Sequence, residues 1–252
     1  MKRYLFFLFL IVSSSIGTAQ RLTVLTYNIN HGADLNGRIN LIRIGNIIRQ
    51  SKADLIAIQE VDSATTRSYG KNQVQQLANL TGLYPLFGGA VSVDNGGKIG
   101  LGILSRYPII AEQRILLPDP DSTGQRILLC AYVELPNQKT VRFCNSQFDD
   151  KMERGRDLQA GVVSALLKPS IQPVIWAGDF NALPDETLIG QLRQYWFDAG
   201  WDTDTPTLPA AVARLDYVWT QTGGPLTPLA YQVLEEHKTA EHWPVVVRYR
   251  LK

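Results

Sequence analysis

Beyond its first twenty residues, the sequence lacks any run long and apolar enough for a transmembrane helix. The early apolar run at 4–12 is too short to span a bilayer comfortably, and no cysteine follows it, which argues against a lipoprotein. Lys2 and Arg3 precede this run, and small residues follow it, as in a secretory signal peptide. We therefore predict a signal peptide over residues 1–19, no stable membrane anchor, and export to the periplasm or the medium after cleavage near Gln20.

The mature chain also lacks an excess of charge of either sign. Without Lys2 and Arg3 it carries 23 basic and 23 acidic residues, so its formal net charge is zero. Proteins that track along nucleic acid usually show a basic excess or stripe, so nucleic acid stays open as a partner but is not favoured. Repeats, low-complexity segments and interdomain linkers are absent from the sequence, and its length suits one α/β domain over residues 20–252, which we expect to be a monomer.

Cysteine is scarce, and the only two, Cys130 and Cys144, fall on two β-like runs that a turn at 136–139 joins into a predicted hairpin. Counting back from the turn places them nearly opposite each other. An exported protein could oxidise such a pair. However, cysteine is also a common small core residue, and directly opposed strand positions often have poor disulfide geometry. Both readings stay open, and two core thiols are the favoured one.

Several short apolar runs end in carboxylates or amides. The run before Gly178 leads to Asp179 and Asn181, and the run at 53–58 leads to Glu60. Turn chemistry alone would explain one such end, but the pattern repeats. It predicts a single polar site at one edge of a sheet. The other two members of the pattern are a run at 22–27 that leads to Asn28 and Asn30, and a run at 215–219 that carries Asp216.

The coarse pattern of elements mixes local hairpins with helical crossovers. It predicts two mixed sheets packed face to face and covered by helices outside, a four-layer α/β sandwich. A loop is expected at 61–71. Helices are expected near 38–51, 72–81, 153–167 and 185–194, and strands near 21–30, 53–60, 84–92, 98–106, 109–117, 126–135, 140–148, 172–178, 215–220, 229–235 and 244–250.

These motifs occur in a characteristic order along the chain. Tyr-Asn-Ile-Asn at 27–30, Gln-Glu at 59–60, Gly-Asp-Phe-Asn at 178–181, Arg-Leu-Asp-Tyr at 214–217 and Glu-His at 241–242 follow one another. This ordered set resembles the endonuclease/exonuclease/phosphatase superfamily, the DNase I-like metal-dependent phosphoesterases. The intervening segments resemble a secreted, small-domain branch of it. The resemblance implies the same four-layer α/β sandwich, phosphate-ester substrates and a cofactor of Mg²⁺ or Mn²⁺.

The resemblance also implies a metal site and a catalytic set. Glu60 is the first candidate metal ligand, with Asn28 and Glu241 beside it, since hard Mg²⁺ takes one or two carboxylates plus waters and substrate oxygens. Asp179 would orient or deprotonate the attacking water. Asn181 would bind that water or the phosphate, His242 would bind the phosphate, and Asp216 would hold His242 in its tautomer. The implied phosphate contacts are Asn30, Asn145 and Gln147.

Three of the polar residues could instead have purely structural roles. Asp216 could instead form a buried pair with Arg214. Of the remaining histidines, His31 follows the first motif and His237 falls in a predicted loop, and either could lie on the surface, which is the favoured reading for His237.

Two departures from the family pattern bear on function. Gln147 stands where many relatives have histidine, and glutamine can donate a hydrogen bond but cannot titrate. Glu241 stands where many have aspartate. The second hypothesis is therefore a catalytically weakened relative that binds phosphorylated ligands or a protein. The sequence does not name the substrate, which the loops at 61–71, 88–97, 118–125 and 202–213 are expected to select.

Overall fold

The computed structural model describes residues 20–93, 96–136, 138–168, 170–236 and 241–252. The predicted signal peptide and His237 lie outside the described residues. Within these ranges, every helix is too short or too polar to cross a bilayer. The helices are α1 (Leu41–Ser51), α2 (Gln73–Thr81), α3 (Glu153–Leu167) and α4 (Thr187–Leu192), and the strands are β1 (Gln20–Asn28), β2 (Leu55–Ser63), β3 (Tyr84–Ser92), β4 (Lys98–Ser105), β5 (Ile109–Leu116), β6 (Ile127–Glu134), β7 (Thr140–Gln147), β8 (Val174–Asp179), β9 (Trp196–Asp198), β10 (Asp216–Gln221), β11 (Leu226–Val233) and β12 (Val245–Leu251).

The strands form two mixed six-stranded sheets. The first has the order β11-β12-β1-β2-β4-β3 and the second has the order β5-β6-β7-β8-β10-β9. Each sheet contains one parallel pair, β1 with β2 and β7 with β8. A helix lies between the two strands of each pair in sequence, α1 in the first sheet and α3 in the second, as a parallel connection requires.

Three hydrophobic clusters hold the layers together. The central one packs the two sheets face to face and includes Val24, Leu55, Phe143 and Ile175. A second cluster packs α1 and α2 against the outer face of the first sheet, and a third packs α3 and α4 against the second sheet. The predicted four-layer α/β sandwich is confirmed.

Element boundaries differ from the prediction most clearly in four places. β1 ends at Asn28 rather than at residue 30, and Asn30 begins a short 3₁₀ turn. β2 continues to Ser63, where a loop was expected from residue 61. β9 was not expected, because three residues are too few to show a strand period. β11 begins at Leu226 rather than near 229, because Pro228 and the register shift that follows it interrupt the alternating pattern of this edge strand.

The predicted pairing of the two cysteines is correct in register but wrong in chemistry. Cys130 on β6 lies opposite Cys144 on β7, and the two form a disulfide rather than two core thiols. Both residues are fully buried beneath α3 and α4. The bond therefore links β6 to β7, the strand that ends at Gln147.

Replacing both cysteines with alanine is expected to lower the free energy of unfolding by about 3 kcal/mol, because the bridge closes a loop of roughly 15 residues in the unfolded chain. Urea unfolding of the wild type and the double variant measures this difference. Reduction with dithiothreitol should destabilise the wild type and leave the variant unchanged. Two titratable thiols in unreduced, denatured wild type would contradict the bond.

Candidate active site

The carboxyl ends of both parallel strand pairs meet at one edge of the sandwich. Asn28 ends β1, Gln147 ends β7, Asp179 ends β8, and Glu60 lies near the end of β2. The Nδ2 of Asn28 donates to Oε1 of Glu60 at 2.9 Å and to Oδ2 of Asp179 at 3.1 Å. The predicted polar site therefore exists, and it spans the two sheets.

A β-bulge presents Glu60 to this site. The register of β2 against β4 shifts between Ile58 and Val61, and Glu60 has a φ of 56°, in the left-handed region. A bulge re-aims the side chain it carries. Gln59 is fully buried and donates to Oδ1 of Asn145 at 2.7 Å. The side chain of Glu60 is 27 % exposed, so the carboxylate is accessible to a ligand.

Gly178 allows β8 to deliver Asp179. A Cβ at this position would lie 1.9 Å from the carbonyl oxygen of Ser146, so only glycine lets β8 approach β7 this closely. After the glycine, Oδ1 of Asp179 accepts a hydrogen bond from the backbone N–H of Asn181 at 3.0 Å. The turn chemistry considered for this motif is therefore present, and it leaves Oδ2 of Asp179 facing Asn28.

Asp216 and His242 form a buried pair next to Asp179. β10 runs antiparallel to β8, which places Asp216 opposite Asp179. The Nδ1 of His242 lies 2.8 Å from Oδ2 of Asp216, and its Nε2 lies 4.0 Å from Oδ2 of Asp179. Since a carboxylate only accepts hydrogen bonds, Nδ1 carries the proton in this pair. The alternative pairing of Asp216 with Arg214 is wrong, because Arg214 binds Asp198.

The electrostatics of this pair keep the imidazole charged. Burial lowers the pKa of His242, but the nearby carboxylates of Asp216, Asp179 and Glu60 outweigh it and raise that pKa to about 10. Burial is also the main cause that raises the pKa of Asp179 to about 6, with the charge of Asp216 adding to it. At neutral pH the site thus combines an imidazolium with a carboxylate that is more basic than an ordinary aspartate.

His31 is the functional-site residue that sequence reasoning missed. Its Nδ1 lies 3.1 Å from Oδ1 of buried Asp62, and its Nε2 lies 3.6 Å from Oε2 of Glu60. Burial would raise the pKa of Asp62, but hydrogen bonds from His31 and Arg67 hold that pKa well below its usual range. A second carboxylate–histidine pair therefore flanks Glu60. The only sequence signal was the position of His31 one residue after Asn30.

Several predicted site residues have different roles from those expected. Asn145 is wrong as a phosphate contact, because it is fully buried and its amide bonds to Gln59, Ile58 and Gly102 between the sheets. Asn28 points its amide nitrogen at the carboxylates, and its oxygen accepts from the backbone N–H of Asn30 at 3.0 Å. It is therefore placed to orient Glu60 and Asp179 rather than to ligate a metal through oxygen.

The remaining four predicted residues, Gln147, Asn181, Glu241 and Asn30, lie around the edge of the cleft. Gln147 donates to Oε1 of Glu60 at 2.8 Å and lies 3.4 Å from Oδ2 of Asp179. Asn181 donates to the carbonyl oxygen of Phe148. Glu241 is exposed, and its Oε1 lies 3.5 Å from the amide nitrogen of Asn30.

The donor set fits a hard divalent cation. Mg²⁺ usually binds through one or two carboxylates and fills its other positions with waters and phosphate oxygens. Glu60 offers an accessible carboxylate, and Asp179 shares two amide donors with it. The ligand atoms of Asp179, Asp216 and His242 also lie within 4.8 Å of one another. Nδ1 of His242 is engaged by Asp216, so Nε2 is the imidazole atom that faces a ligand.

The fold recurs in distant proteins of known structure. An endonuclease/exonuclease/phosphatase from Beutenbergia cavernae matches with a TM-score of 0.76 and 20 % identity, covering 92 % of this chain and 72 % of that one. The human Nocturnin catalytic domain with bound sulfate matches with a TM-score of 0.76 and 16 % identity, covering 92 % and 95 %. A mannosyl-6-phosphatase from Bacteroides thetaiotaomicron matches with a TM-score of 0.71 and 17 % identity, covering 90 % and 99 %.

These identities establish a shared fold only. The sequence comparison is more specific, because residues 25–235 match one family along most of the chain. That stretch runs from within β1 to just past the end of β11 and includes the strands that carry Glu60, Asp179 and Asp216. On this match the chain belongs to the endonuclease/exonuclease/phosphatase family.

Proposed function

We propose that this protein is an exported, divalent-metal-dependent phosphoesterase that activates water on a phosphodiester. Its family generally hydrolyses phosphate esters and is typically metal-dependent. The observation that carries the proposal is the position of Asp179. This carboxylate lies between the Asp216–His242 pair and the Asn28–Glu60 pair, with a raised pKa and a fixed orientation.

Each side chain has one task in the proposed reaction. Oδ2 of Asp179 accepts a proton from the attacking water, for which its raised pKa suits it. The Nε2 of His242 donates to a phosphate oxygen, and Asp216 holds the imidazole so that this nitrogen faces the cleft. Glu60, with Asp179 near it, would hold the metal. When bound, the metal supplies charge neutralisation at the phosphate.

The proposed substrate class rests on the net charge of the mature chain. The balanced net charge of the mature chain favours a small or lipid-like phosphodiester over nucleic acid.

A phosphoester panel on the purified mature protein tests the proposal. It contains single- and double-stranded nucleic acids, phospholipids and chromogenic mono- and diesters, each with Mg²⁺, Mn²⁺, Ca²⁺ or EDTA. We expect turnover of at least one diester class that EDTA abolishes and Mg²⁺ or Mn²⁺ restores. Tight binding of phosphate ligands without turnover of any ester would instead identify the weakened, ligand-binding relative.

Export is a proposal supported by the segment before Gln20 and by the disulfide, since such bonds persist in oxidising compartments. Mass spectrometry of the native protein should find an N-terminus near Gln20. An intact Met1 on the native protein would reject it.

Gln147 predicts a preference for good leaving groups. General acid catalysis is typically worth roughly 10² to 10⁴ in rate, and an amide cannot supply it. The amide of Gln147 instead donates to Glu60 and Asp179. We therefore expect aryl phosphodiesters to be hydrolysed much faster than alkyl ones. Gln147→His should raise kcat/KM on an alkyl diester more than on an aryl diester and add a protonation limb to the pH profile.

The decisive quantity is the ratio of variant to wild-type kcat/KM for each substrate. Gln147→Asn is the matched control, because it shortens the side chain without adding a titratable group. Equal ratios for the aryl and alkyl diesters in Gln147→His would rule out the role assigned to this position.

A further inference from the structure

A pocket of about 410 Å³ is lined by Glu241 and Trp243, the two residues that flank His242 in the chain. One wall is the turn from Leu208 to Ala211, and Leu35 and Trp243 form further parts of the lining. Six of its eight lining residues are apolar, in contrast to the carboxylates and amides of the cleft. The turn belongs to the 202–213 loop, one of the segments expected to select the substrate.

The wall of this pocket is hydrogen-bonded to the catalytic pair. Trp243 follows His242 in the chain, and its backbone N–H donates to the carbonyl oxygen of Thr207 at 2.6 Å. The hydroxyl of Thr207 in turn accepts from the backbone N–H of Asp216 at 3.1 Å. Thr207 is fully buried and directly precedes Leu208. Thr207 therefore links the backbone of the pocket lining to the backbone of the catalytic pair.

The charges around the pocket restrict what it can bind. Its two polar lining residues are both carboxylates, Glu236 and Glu241. Arg43 binds Glu236, whereas Glu241 is exposed and contacts only the uncharged amide of Asn30 among the contacts described. A second phosphate group placed here would meet like charge, so the next unit of a nucleic acid is disfavoured. An uncharged apolar group is not repelled by these carboxylates.

We propose that this pocket binds an uncharged alkyl chain carried by the phosphodiester substrate, so that the substrate is amphiphilic. The proposal rests on the phosphoesterase function proposed above and defines its substrate class. Apolar surface that enters the pocket leaves water, and each methylene that becomes fully buried raises kcat/KM by up to about fourfold. The gain should appear mainly in KM, because the chain binds equally in the ground and transition states.

A series of p-nitrophenyl phosphodiesters with methyl, butyl or hexyl as the second alcohol tests this. The leaving group is constant, so only the chain varies. We expect kcat/KM to rise by roughly tenfold or more from methyl to butyl in the wild type. Leu35→Asp and Ala211→Asp place a charge in the pocket lining and should remove this rise, while hydrolysis of the methyl ester stays unchanged.

The matched control is Leu229→Asp, which makes the same change on edge strand β11. Leu229 is 47 % exposed, comparable to the 60 % of Leu35, and is not part of the pocket lining. This variant should keep the full dependence on chain length. The pocket assignment is overturned if kcat/KM still rises with chain length in both pocket variants. It is also overturned if the wild type hydrolyses the methyl ester but shows no such rise. Either result leaves the phosphoesterase function intact.

A wild type that hydrolyses none of the three esters would reject the phosphoesterase function instead. Calorimetric binding of hexyl phosphate and methyl phosphate then decides the pocket separately. Tighter binding of hexyl phosphate that Leu35→Asp removes, and Leu229→Asp keeps, supports the pocket. Equal binding of the two phosphates overturns it.

Discussion

Glu60→Gln is expected to abolish metal-dependent hydrolysis while the fold keeps nearly its wild-type stability. Metal neutralisation of the phosphate is worth several kcal/mol, so removal of its charged ligand should lower kcat/KM by about 10³-fold or more. Glutamine has the same shape and retains an acceptor oxygen for Asn28 and Gln147. The Glu60 side chain is partly exposed, so its replacement leaves no buried charge without a partner.

Glu241→Gln is the matched control, because it removes a second carboxylate from the same edge of the site. Glu241 contacts the Asn30 amide rather than the Glu60–Asp179 group, so we expect a loss smaller than about tenfold, the effect of an exposed charge. Calorimetric titration with Mn²⁺ measures binding independently of turnover, and Glu60→Gln should weaken it strongly. Full activity of Glu60→Gln, or of the wild type in EDTA, would remove Glu60 from the site. Equal losses in the two variants would make Glu241 a ligand as well.

The sequence predicted the architecture because the chemistry of each element is local. Counting along the chain identifies apolar runs of strand length, the polar residues that end them and the helical segments between them. The repeated polar ends of the apolar runs predicted that Asn28, Glu60 and Asp179 would converge. Parallel strands deliver their carboxyl ends to the same edge, which explains the convergence within each sheet, whereas the contact of Asn28 with Asp179 depends on how the two sheets pack. The position of Asp216 at the start of its strand fits the same rule, since an antiparallel neighbour begins where β8 ends.

Depth within the sandwich was not predictable in the same way. Asn145 and Gln147 lie two residues apart and share one face of β7. Only Gln147 reaches the cleft, whereas Asn145 lies one step deeper and bonds to carbonyls of the facing sheet. The face of a side chain follows from period, but its distance from the edge depends on how the two sheets are offset. That offset is a property of packing and leaves no mark in a single strand.

The environment of His31 was hidden for a related reason. It lies in a short turn after β1, with a φ of 57°, and meets Glu60 and Asp62 from a different strand. Those two residues reach it because of the bulge in β2, which no apolar pattern reveals. Long-range contacts at irregular backbone are where local reasoning fails.

Asp216→Asn and His242→Asn should each lower kcat strongly, and the double variant should be little worse than either alone. The imidazolium of His242 acts only when Asp216 fixes its orientation and stabilises its charge. Removal of one preorganised donor to a reacting phosphate typically costs about 10² to 10³ in kcat. Without Asp216, the imidazole loses both its fixed orientation and the carboxylate that raises its pKa, so a loss of the same order is expected.

Residues that act as one unit give non-additive losses. We therefore expect the double variant to lie within about threefold of the slower single variant, against a product of roughly 10⁴ or more for independent roles. Asp198→Asn is the control, because it breaks another buried ion pair, that with Arg214, outside the site. It should lower the midpoint of thermal unfolding and leave kcat of the folded protein near wild type. If the losses of the two single variants multiply in the double variant, Asp216 and His242 act separately. If Asp198→Asn loses as much kcat as the single variants of the pair, general destabilisation rather than the catalytic pair explains the result.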